Sequence, residues 1–358
     1  MSQYKKELEK FVKQKQKAEC RVAVLPDFFL DRLVNLDWNP HEFSRLVTDV
    51  AKRKGGSLDG IPQTDLQGGN AINVASALAN LGVTVTPIVC TSQYGLQQIK
   101  YYFKDAAVNT SHVKVQGKAS VTTALEFKNK HEKTNVMIRD LGALADFSPD
   151  DLNESDYAAI DNADYTCLFN WAGTLKNGTR LAQAVFSRAK QRGRGKTYYD
   201  TADPTPNRTA IPELMEKVLK SDLVDILSVN ENEAVTYASL LDKALNDKKE
   251  QVPFAELAME AARILAKNLH ARIDLHTTAF SASLRGKTEA VAPTFRVKVL
   301  RATGAGDAWT AGNIIGERNG LSEECRLLLA NAVAACYLSE PEGKHPTWKK
   351  LSKFLVEN

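Results

Sequence analysis

The stretch that decides the fold reads Ala302-Thr303-Gly304-Ala305-Gly306-Asp307-Ala308-Trp309. It follows a strand-like run, Arg296–Leu300, and begins a helical pattern that continues to about Arg318, where Asn319-Gly320 predicts the stop. Two glycines around one small residue let the backbone approach a ligand, at which the free N–H groups of the first helical turn then point. The pattern predicts an anion-binding turn with Asp307 beside it as a candidate base. Taken alone, it also suits a tight turn in which Asp307 only caps the helix.

A second glycine pair precedes another helical pattern, earlier in the chain. It reads Gly68-Gly69-Asn70-Ala71-Ile72-Asn73-Val74-Ala75-Ser76-Ala77-Leu78-Ala79-Asn80-Leu81-Gly82. Ala71, Ala75 and Ala79 form a stripe of small residues that allows close packing on a sheet. Asn70 and Asn73 lie in the first turn, where their side chains can face a ligand at the strand ends. By itself, this stretch is more often simply a packed helix.

Around these two stretches, apolar runs of strand length alternate with helical patterns. The predicted strands are Arg21–Leu25, Val83–Val89, Tyr165–Phe169, Lys196–Tyr199 and Leu223–Val229. The predicted helices include Ala71–Leu81, Leu175–Arg192, Glu231–Leu245 and Phe254–Leu269. Such alternation predicts an α/β fold in which a doubly wound, mostly parallel sheet is flanked by helices.

Two segments, about 28–66 and about 113–140, interrupt the alternation. The elements predicted in them are strands at Phe28–Leu36, Ser57–Leu66, Val121–Phe127 and Thr134–Ile138 and a helix at His41–Lys54. We expect these elements to form a small inserted β-strand lid whose last two strands are a hairpin. The predicted organisation is a charged N-terminal helix (1–19), one α/β domain carrying the lid (20–345) and a C-terminal helix (346–358).

Composition excludes several classes of protein. The 358 residues are 43% hydrophobic and 25% charged, which excludes a disordered, collagen-like or coiled-coil chain. The net charge of +4 comes largely from a lysine-rich start, which we interpret as a solvated helix and not as a nucleic-acid-binding arm. No apolar run reaches the roughly 18 residues of a membrane span, and no signal-peptide pattern is present. The five cysteines are scattered, so we expect reduced thiols in a cytoplasmic protein. From the charge distribution and the lack of a membrane span, we expect neither nucleic-acid nor membrane partners.

Common catalytic motifs are absent from the sequence. There is no GxxxxGK(S/T) phosphate loop, no GxSxG and no HExxH. Gly304-Ala305-Gly306 begins like a dinucleotide fingerprint, but Trp309 stands where the third glycine would be.

Together, the two glycine stretches resemble the two signatures of the ribokinase-like (PfkB) family of carbohydrate and nucleoside kinases. The family patterns are a GG-x-x-x-N helix ending in LG, and D-T-x-G-A-G-D. Their order and wide separation fit, as does an inserted strand lid, and the likeness covers about residues 20–340. The resemblance implies an ATP- and Mg²⁺-dependent kinase that phosphorylates a hydroxyl of a sugar or sugar-like metabolite.

The resemblance also implies roles for individual residues. Asp307 matches the catalytic base, and the anion hole matches Gly304, Ala305 and Gly306. Positions that bind the acceptor match Asp31, Gly68, Gly69, Asn70 and Asn73, with Asp31 as the acidic residue at the end of the first strand. Nucleotide-binding positions match Asn230, Glu233, Thr278 and Thr303. Of these, Asn230 and Glu233 form the family's N-x-x-E element, which organises Mg²⁺ partly through water, and Asp200 matches a strand end that faces the phosphates.

Departures from the family pattern leave alternatives open. Arg301 stands where the second signature has Asp, so K⁺ activation is in question; the hypothesis is that the arginine supplies the cation's charge. Thr278 and Ser281 occupy glycine places on the nucleotide side, and Phe29 argues against ribose itself. A nucleoside kinase of the same fold is the main alternative, and a non-catalytic sugar or nucleotide sensor is the other. We also expect a homodimer formed through the lid, since a bare hairpin exposes strand edges.

Overall fold

The elements of the fold come from a computed structural model that describes residues 2–14, 17–104, 108–129, 132–192, 194–248, 251–300 and 303–358. The strands are β1 Arg21–Leu25, β2 Phe29–Leu36, β3 Gln63–Gly68, β4 Thr84–Pro87, β5 Cys90–Thr91, β6 Lys114–Val115, β7 Ser120–Asn129, β8 Glu132–Asp140, β9 Tyr165–Phe169, β10 Lys196–Asp200, β11 Ile226–Val229, β12 Arg272–His276, β13 Phe280–Arg285 and β14 Thr288–Pro293. The helices are α1 Ser2–Lys13, α2 Pro40–Lys52, α3 Asn70–Asn80, α4 Gln93–Tyr102, α5 Glu154–Asp161, α6 Gly178–Arg192, α7 Ile211–Leu214, α8 Glu231–Leu241, α9 Ala244–Asp247, α10 Phe254–Asn268, α11 Ala305–Arg318, α12 Glu323–Leu338 and α13 Trp348–Glu357.

The central sheet has the strand order β14-β13-β12-β11-β10-β9-β1-β4. Its strands pair in parallel from β4 to β12, and the last two pairings, through β13 and β14, are antiparallel. Helices cover both faces: α6 and α10 pack in one buried apolar cluster, whereas α3, α11 and α12 pack in another. The predicted doubly wound, mostly parallel α/β fold is confirmed. Because the parallel strands share one direction, the residues that follow them meet at one edge.

The predicted lid is a separate sheet with the strand order β3-β2-β7-β8. Asp31 in β2 pairs with Leu66 in β3 and with Thr122 in β7, and Thr122 pairs in turn with Arg139 in β8. The strand predicted from Ser57 begins only at Gln63. The predicted turn of the hairpin includes residues 130–131, which lie outside the described residues.

Other predicted elements differ in the structure as well: the strand predicted from Leu223 begins at Ile226, and the helix predicted from Leu175 begins at Gly178. Arg296–Leu300 is not a strand: Leu300 is 40% exposed, and its N–H donates to the C=O of Leu338 at the end of α12 instead of to a neighbouring strand. The helix predicted to run to Leu245 ends at Leu241. There Asp242 takes an extended conformation and its side chain accepts from the N–H of Ala244, which starts the short helix α9.

The lysine-rich α1 is not a fully solvated helix. Its residues Leu8, Phe11 and Val12 are buried among side chains of α12 and α13. Phe11 meets Trp348 edge to face, with the ring centroids 5.7 Å apart. The helix is amphipathic, so its lysines face water while its apolar side joins the core. No helix in the described part of the chain is long and apolar enough to cross a membrane.

Candidate active site

The two glycine stretches meet at the first turn of α11. Gly304, with φ +89°, adopts the left-handed conformation that starts the helix, and Asp307 lies three residues further on. Asp307 is buried, and its two carboxylate oxygens accept hydrogen bonds from the side-chain amides of Asn70 and Asn73, each at 2.9 Å. These partners are more than 230 residues away in sequence. The N–H groups at the start of α11 have no partner within the helix and remain available to an anion.

Close packing explains the glycine pair before α3. A Cβ placed on Gly68 would overlap the carboxylate of Asp31, and one placed on Gly69 would lie only 2.9 Å from the backbone of Asp27 and Phe28. Gly69 also has φ +92°, a conformation that side chains rarely tolerate. The lid carboxylate and the end of β1 therefore both rest directly against this turn.

Asp27 is a site residue that the sequence analysis missed. It lies two residues after β1, is fully buried, and accepts hydrogen bonds from the backbone N–H groups of Asn70 and Ala71, at 2.9 and 2.8 Å. A third hydrogen bond, at 2.8 Å, comes from the side chain of Asn170, which follows β9. Asp27 thus fixes the start of α3 and with it the two amides that hold Asp307. An acidic residue just after the first predicted strand was the available signal.

Asp31 lies in β2 of the lid and not at the end of β1, where the sequence had placed it. Its Oδ1 atom is buried without a hydrogen-bond partner. Burial raises the pKa of Asp31 to about 6, against the opposing effect of Thr122 and the positive charge of Arg139. The Arg139 guanidinium lies 5.0 Å from the ring centroid of Phe29. A buried acceptor atom without a donor suits a ligand hydroxyl.

Three buried carboxylates, those of Asp27, Asp200 and Asp307, lie at this edge of the sheet, where burial raises the pKa of each. Burial, together with the charges of Asp200 and Asp27, raises the pKa of Asp307 to about 8, although the hydrogen bonds from Asn73 and Asn70 lower it. Burial likewise raises the pKa of Asp200 to about 6. A carboxyl group with a pKa near neutrality suits the uptake of a proton during a reaction.

Three of the four residues predicted to bind the nucleotide, Asn230, Glu233 and Thr278, form a second group at the start of α8. Asn230 and Glu233 hold one another: the Glu233 N–H donates to Asn230 Oδ1 at 3.0 Å, and the Asn230 amide donates to Glu233 Oε1 at 2.7 Å. Thr278 lies next to them, because its N–H donates to Glu231 Oε1 at 2.9 Å. Thr303 lies in the loop before α11, where its C=O accepts from the Tyr337 hydroxyl. Arg301, which raised the question of K⁺, lies outside the described residues.

The same corner of the molecule suits a cation held through water. Burial, and then the charges of Asp200, Asp203 and Glu231, raise the pKa of Glu233 well above its ordinary value. A cation would relieve this repulsion between carboxylates, and oxygen donors are those that Mg²⁺ prefers. Among the described residues, no group of three or more His, Cys, Asp or Glu side chains is arranged to hold a metal directly. The residues therefore fit a hydrated Mg²⁺.

A cavity of about 620 Å³ lies between the lid and the α/β body. Asp31 and Asn73 line it, and the lid also contributes Leu33, Leu66 and Met137. Residues near the C-terminus form another wall; the cavity reaches Tyr337, Glu342, Lys344, His345, Thr347 and Lys350. The sequence analysis included none of these C-terminal residues in the site.

Comparisons with known proteins agree with this geometry. The family model described as pfkB family carbohydrate kinase matches residues 63–350. The chain belongs to the pfkB family. The resemblance predicted from the two glycine motifs is confirmed, and pfkB proteins are phosphotransferases that act on sugar or nucleoside hydroxyls. A search of curated protein sequences found no significant match.

Solved structures share the pfkB fold with this chain. Ribokinase from Arabidopsis thaliana, complexed with ribose and ATP, has a TM-score of 0.71 and 18% identity over 94% of this chain and 99% of its own. Ribokinase from Cryptococcus neoformans, in complex with ADP, has a TM-score of 0.72 and 16% identity over 94% and 99%. Adenosine kinase from Sinorhizobium meliloti has a TM-score of 0.68 and 17% identity over 95% and 99%. The likeness spans sugar and nucleoside kinases alike.

Proposed function

We propose that this pfkB protein is an ATP- and Mg²⁺-dependent kinase that transfers the γ-phosphate to a hydroxyl of a sugar or sugar-like metabolite. The observation that carries the proposal is the meeting of Asp307 with Asn70 and Asn73 at the start of α11. A buried carboxylate there can face an acceptor hydroxyl, while the unpaired N–H groups of the same turn face a phosphoryl group.

Asp307 is the proposed base. The acceptor oxygen forms a bond to the γ-phosphorus as the bond between that phosphorus and the β–γ bridging oxygen breaks, and the hydroxyl proton moves to Asp307. The two amides keep both carboxylate oxygens in fixed directions. ADP carries away the electron pair of the broken bond. Such a transfer needs positioning and charge stabilisation more than covalent help.

Gly304, Ala305 and Gly306 form the proposed anion hole, in the positive field of the helix N-terminus. Gly306 packs closely against β12, because a Cβ on it would lie only 3.3 Å from the ring of His276. Asn230 and Glu233 would hold a hydrated Mg²⁺, which neutralises phosphate charge when bound. We refer to Asp27, Asn70, Asn73 and Asp307 as the acceptor side of the site. Asn230, Glu231, Glu233 and Thr278 are its nucleotide side.

A nucleoside kinase is the second candidate, and one observation favours it. The lid lines the cavity with Leu33, Leu66, Ala124 and Met137, an apolar surface that suits a base or another flat apolar group. A monosaccharide would need polar partners along most of its surface. The lid offers these as well, at Asp31, Thr64, Asp65, Gln67, Thr122, Glu126 and Asn135. A panel of acceptors must therefore decide between the two candidates.

The proposed homodimer would form through the lid. Strand β8 is an edge of the lid sheet, and its residues Val136, Met137 and Ile138 are 46 to 60% exposed. Pairing with a second copy would cover both the strand edge and this apolar surface. Light scattering coupled to size exclusion tests it; a monomer at micromolar concentration would contradict it.

ADP release with Mg-ATP tests the proposed function over a panel of sugars, sugar acids, polyols and nucleosides. Acceptor-dependent turnover that Asp307→Asn abolishes supports the kinase, and the best acceptor separates the sugar from the nucleoside candidate. A compound that binds tightly without turnover would instead support the sensor and contradict the role of Asp307 as a base.

A further inference from the structure

The wall of the cavity near the C-terminus contains a stacked pair of rings. Tyr337, at the end of α12, and His345, in the segment before α13, both line the cavity and are only 5% and 4% exposed. Their ring centroids are 4.6 Å apart and their planes differ by 14°. Neither residue belongs to the glycine motifs, and the proposed chemistry uses neither of them.

Tyr337 contacts the loop that forms the anion hole. Its hydroxyl donates a hydrogen bond to the C=O of Thr303 at 3.0 Å. A Cβ placed on the next residue, Gly304, would lie 2.7 Å from the same hydroxyl oxygen. The Tyr337 hydroxyl therefore lies where the loop turns into α11, directly before the N–H groups of the proposed anion hole.

His345 connects this pair to the helix of the acceptor side. Its Nδ1 lies 3.1 Å from Ser76 Oγ, and Ser76 follows Asn73 by one turn on α3. Asn73 in turn donates to Asp307. One continuous set of contacts thus joins the loop that offers N–H groups to the helix that orients the base.

We propose that Tyr337 is a positioning residue of the phosphoryl transfer. Its hydroxyl, supported by the stacked His345 ring, sets the path of Thr303 and Gly304 and so orients the N–H groups of Ala305 and Gly306. The inference rests on the proposed function. N–H donors stabilise a transition state only when they are already oriented toward the developing charge. The Tyr337 ring lines the cavity, but its hydroxyl donates to the C=O of Thr303, so loss of the hydroxyl alone should lower turnover more than acceptor affinity.

The test compares Tyr337→Phe with Trp348→Phe. The first variant keeps the stacked ring and loses the hydrogen bond to Thr303; we expect kcat to fall about tenfold while the acceptor KM changes less than about twofold. The second loses the 2.8 Å hydrogen bond from Trp348 to the C=O of Leu81. That bond also ties the C-terminal segment to the end of α3, so Trp348→Phe lowers the Tm without lowering kcat.

Hydrogen exchange gives a readout that does not depend on turnover. Amides of a peptide covering 303–307 should exchange faster in Tyr337→Phe than in Trp348→Phe or the unmodified protein. An unchanged kcat in Tyr337→Phe, an equal loss in both variants, or unchanged exchange would each overturn the proposal. If the unmodified protein turns over no acceptor, the proposed function fails, whereas faster exchange would still support the contact between Tyr337 and the loop.

Discussion

The acceptor side and the nucleotide side of the site are held together differently. On the acceptor side, Asp27 and Asp307 are buried and join β1, α3, β9 and α11 through five side-chain hydrogen bonds between 2.8 and 2.9 Å. On the nucleotide side, Asn230 and Glu233 bond mainly to each other within one helical turn, and Thr278 is exposed.

This difference indicates where the site is organised before a ligand arrives. The acceptor side already has the geometry that its chemistry needs, and moving any of its residues leaves a buried polar group unpaired. The nucleotide side is partly exposed, and Asn230 and Glu233 satisfy one another through a local capping box. If the proposed function holds, a nucleotide would compete with these internal bonds, whereas an acceptor would enter a fixed frame.

Asp307→Asn gives the largest expected effect. Without a base that takes up the hydroxyl proton, kcat should fall by roughly 10² to 10⁴, while ATP binding changes little because it depends on the nucleotide side. Steady-state kinetics with the best acceptor measures this. Asp161→Asn, a surface carboxylate paired with Arg188 at 2.7 Å, is the matched control. A decrease in kcat of less than about tenfold would contradict the role of Asp307 as the base.

The same variant should change how stability depends on pH. The pKa of Asp307 rises on folding from its ordinary 3.8 to about 8, so the folded state holds this proton more tightly than the unfolded chain does. The stability of the unmodified protein should therefore decline as the pH rises through this interval. The amide that replaces the carboxyl group in Asp307→Asn has no proton to lose, so the free energy of unfolding of the variant, relative to the unmodified protein, should increase from pH 5 to pH 8. Urea denaturation across this pH range measures the difference. If the free energies of unfolding of the variant and the unmodified protein change in parallel with pH, the raised pKa of Asp307 is contradicted.

Asp27→Asn should destabilise the protein without touching the reacting atoms. The amide of this variant can accept fewer of the hydrogen bonds from Asn70, Ala71 and Asn170, so we expect the free energy of unfolding to fall by about 2 kcal/mol. On the nucleotide side, Glu231→Gln removes charge from an exposed acceptor and should change it by less than about 0.5 kcal/mol. Urea denaturation measures both variants. Equal decreases in their free energies of unfolding would contradict the proposed difference between the two sides.

Gly68→Ala should weaken acceptor binding. The new methyl group forces the Asp31 carboxylate out of its place, so the acceptor KM should rise at least about tenfold. The KM for ATP serves as the internal control, since the nucleotide side does not contact this turn. An increase in both constants, or in neither, would show that Asp31 does not bind the acceptor.

The sequence predicted the parts of the site that depend on local backbone requirements. Gly69 and Gly304 need positive φ, and such glycines before helices are visible as a pattern. The spacing of apolar residues along the sequence likewise predicted the sheet and the lid. The strand predicted at Arg296–Leu300 was wrong. Its apolar residues suited a strand, but the N–H of Leu300 donates to the end of α12 instead of to a neighbouring strand.

What the sequence missed depends on contacts between distant segments. Asn170 follows β9 without any motif, and its role exists only because β9 lies beside β1 in the sheet. Tyr337 and His345 reach the cavity because α12 ends there and the segment after it passes over α3. A single sequence carries no sign of such proximity, so long-range partners of a motif must come from the three-dimensional structure.

Gly69 is the one residue between strand β3 of the lid and helix α3, which supplies the amides bound to Asp307. Strand β3 ends at Gly68, and α3 starts at Asn70, whose amide donates to Asp307. A rotation of the lid about Gly69 would have one of two effects. It would turn the first residues of α3, or the two backbone torsions of Gly69 would absorb it. Any lid movement that reaches Asp307 by this route must pass through the backbone of a single glycine.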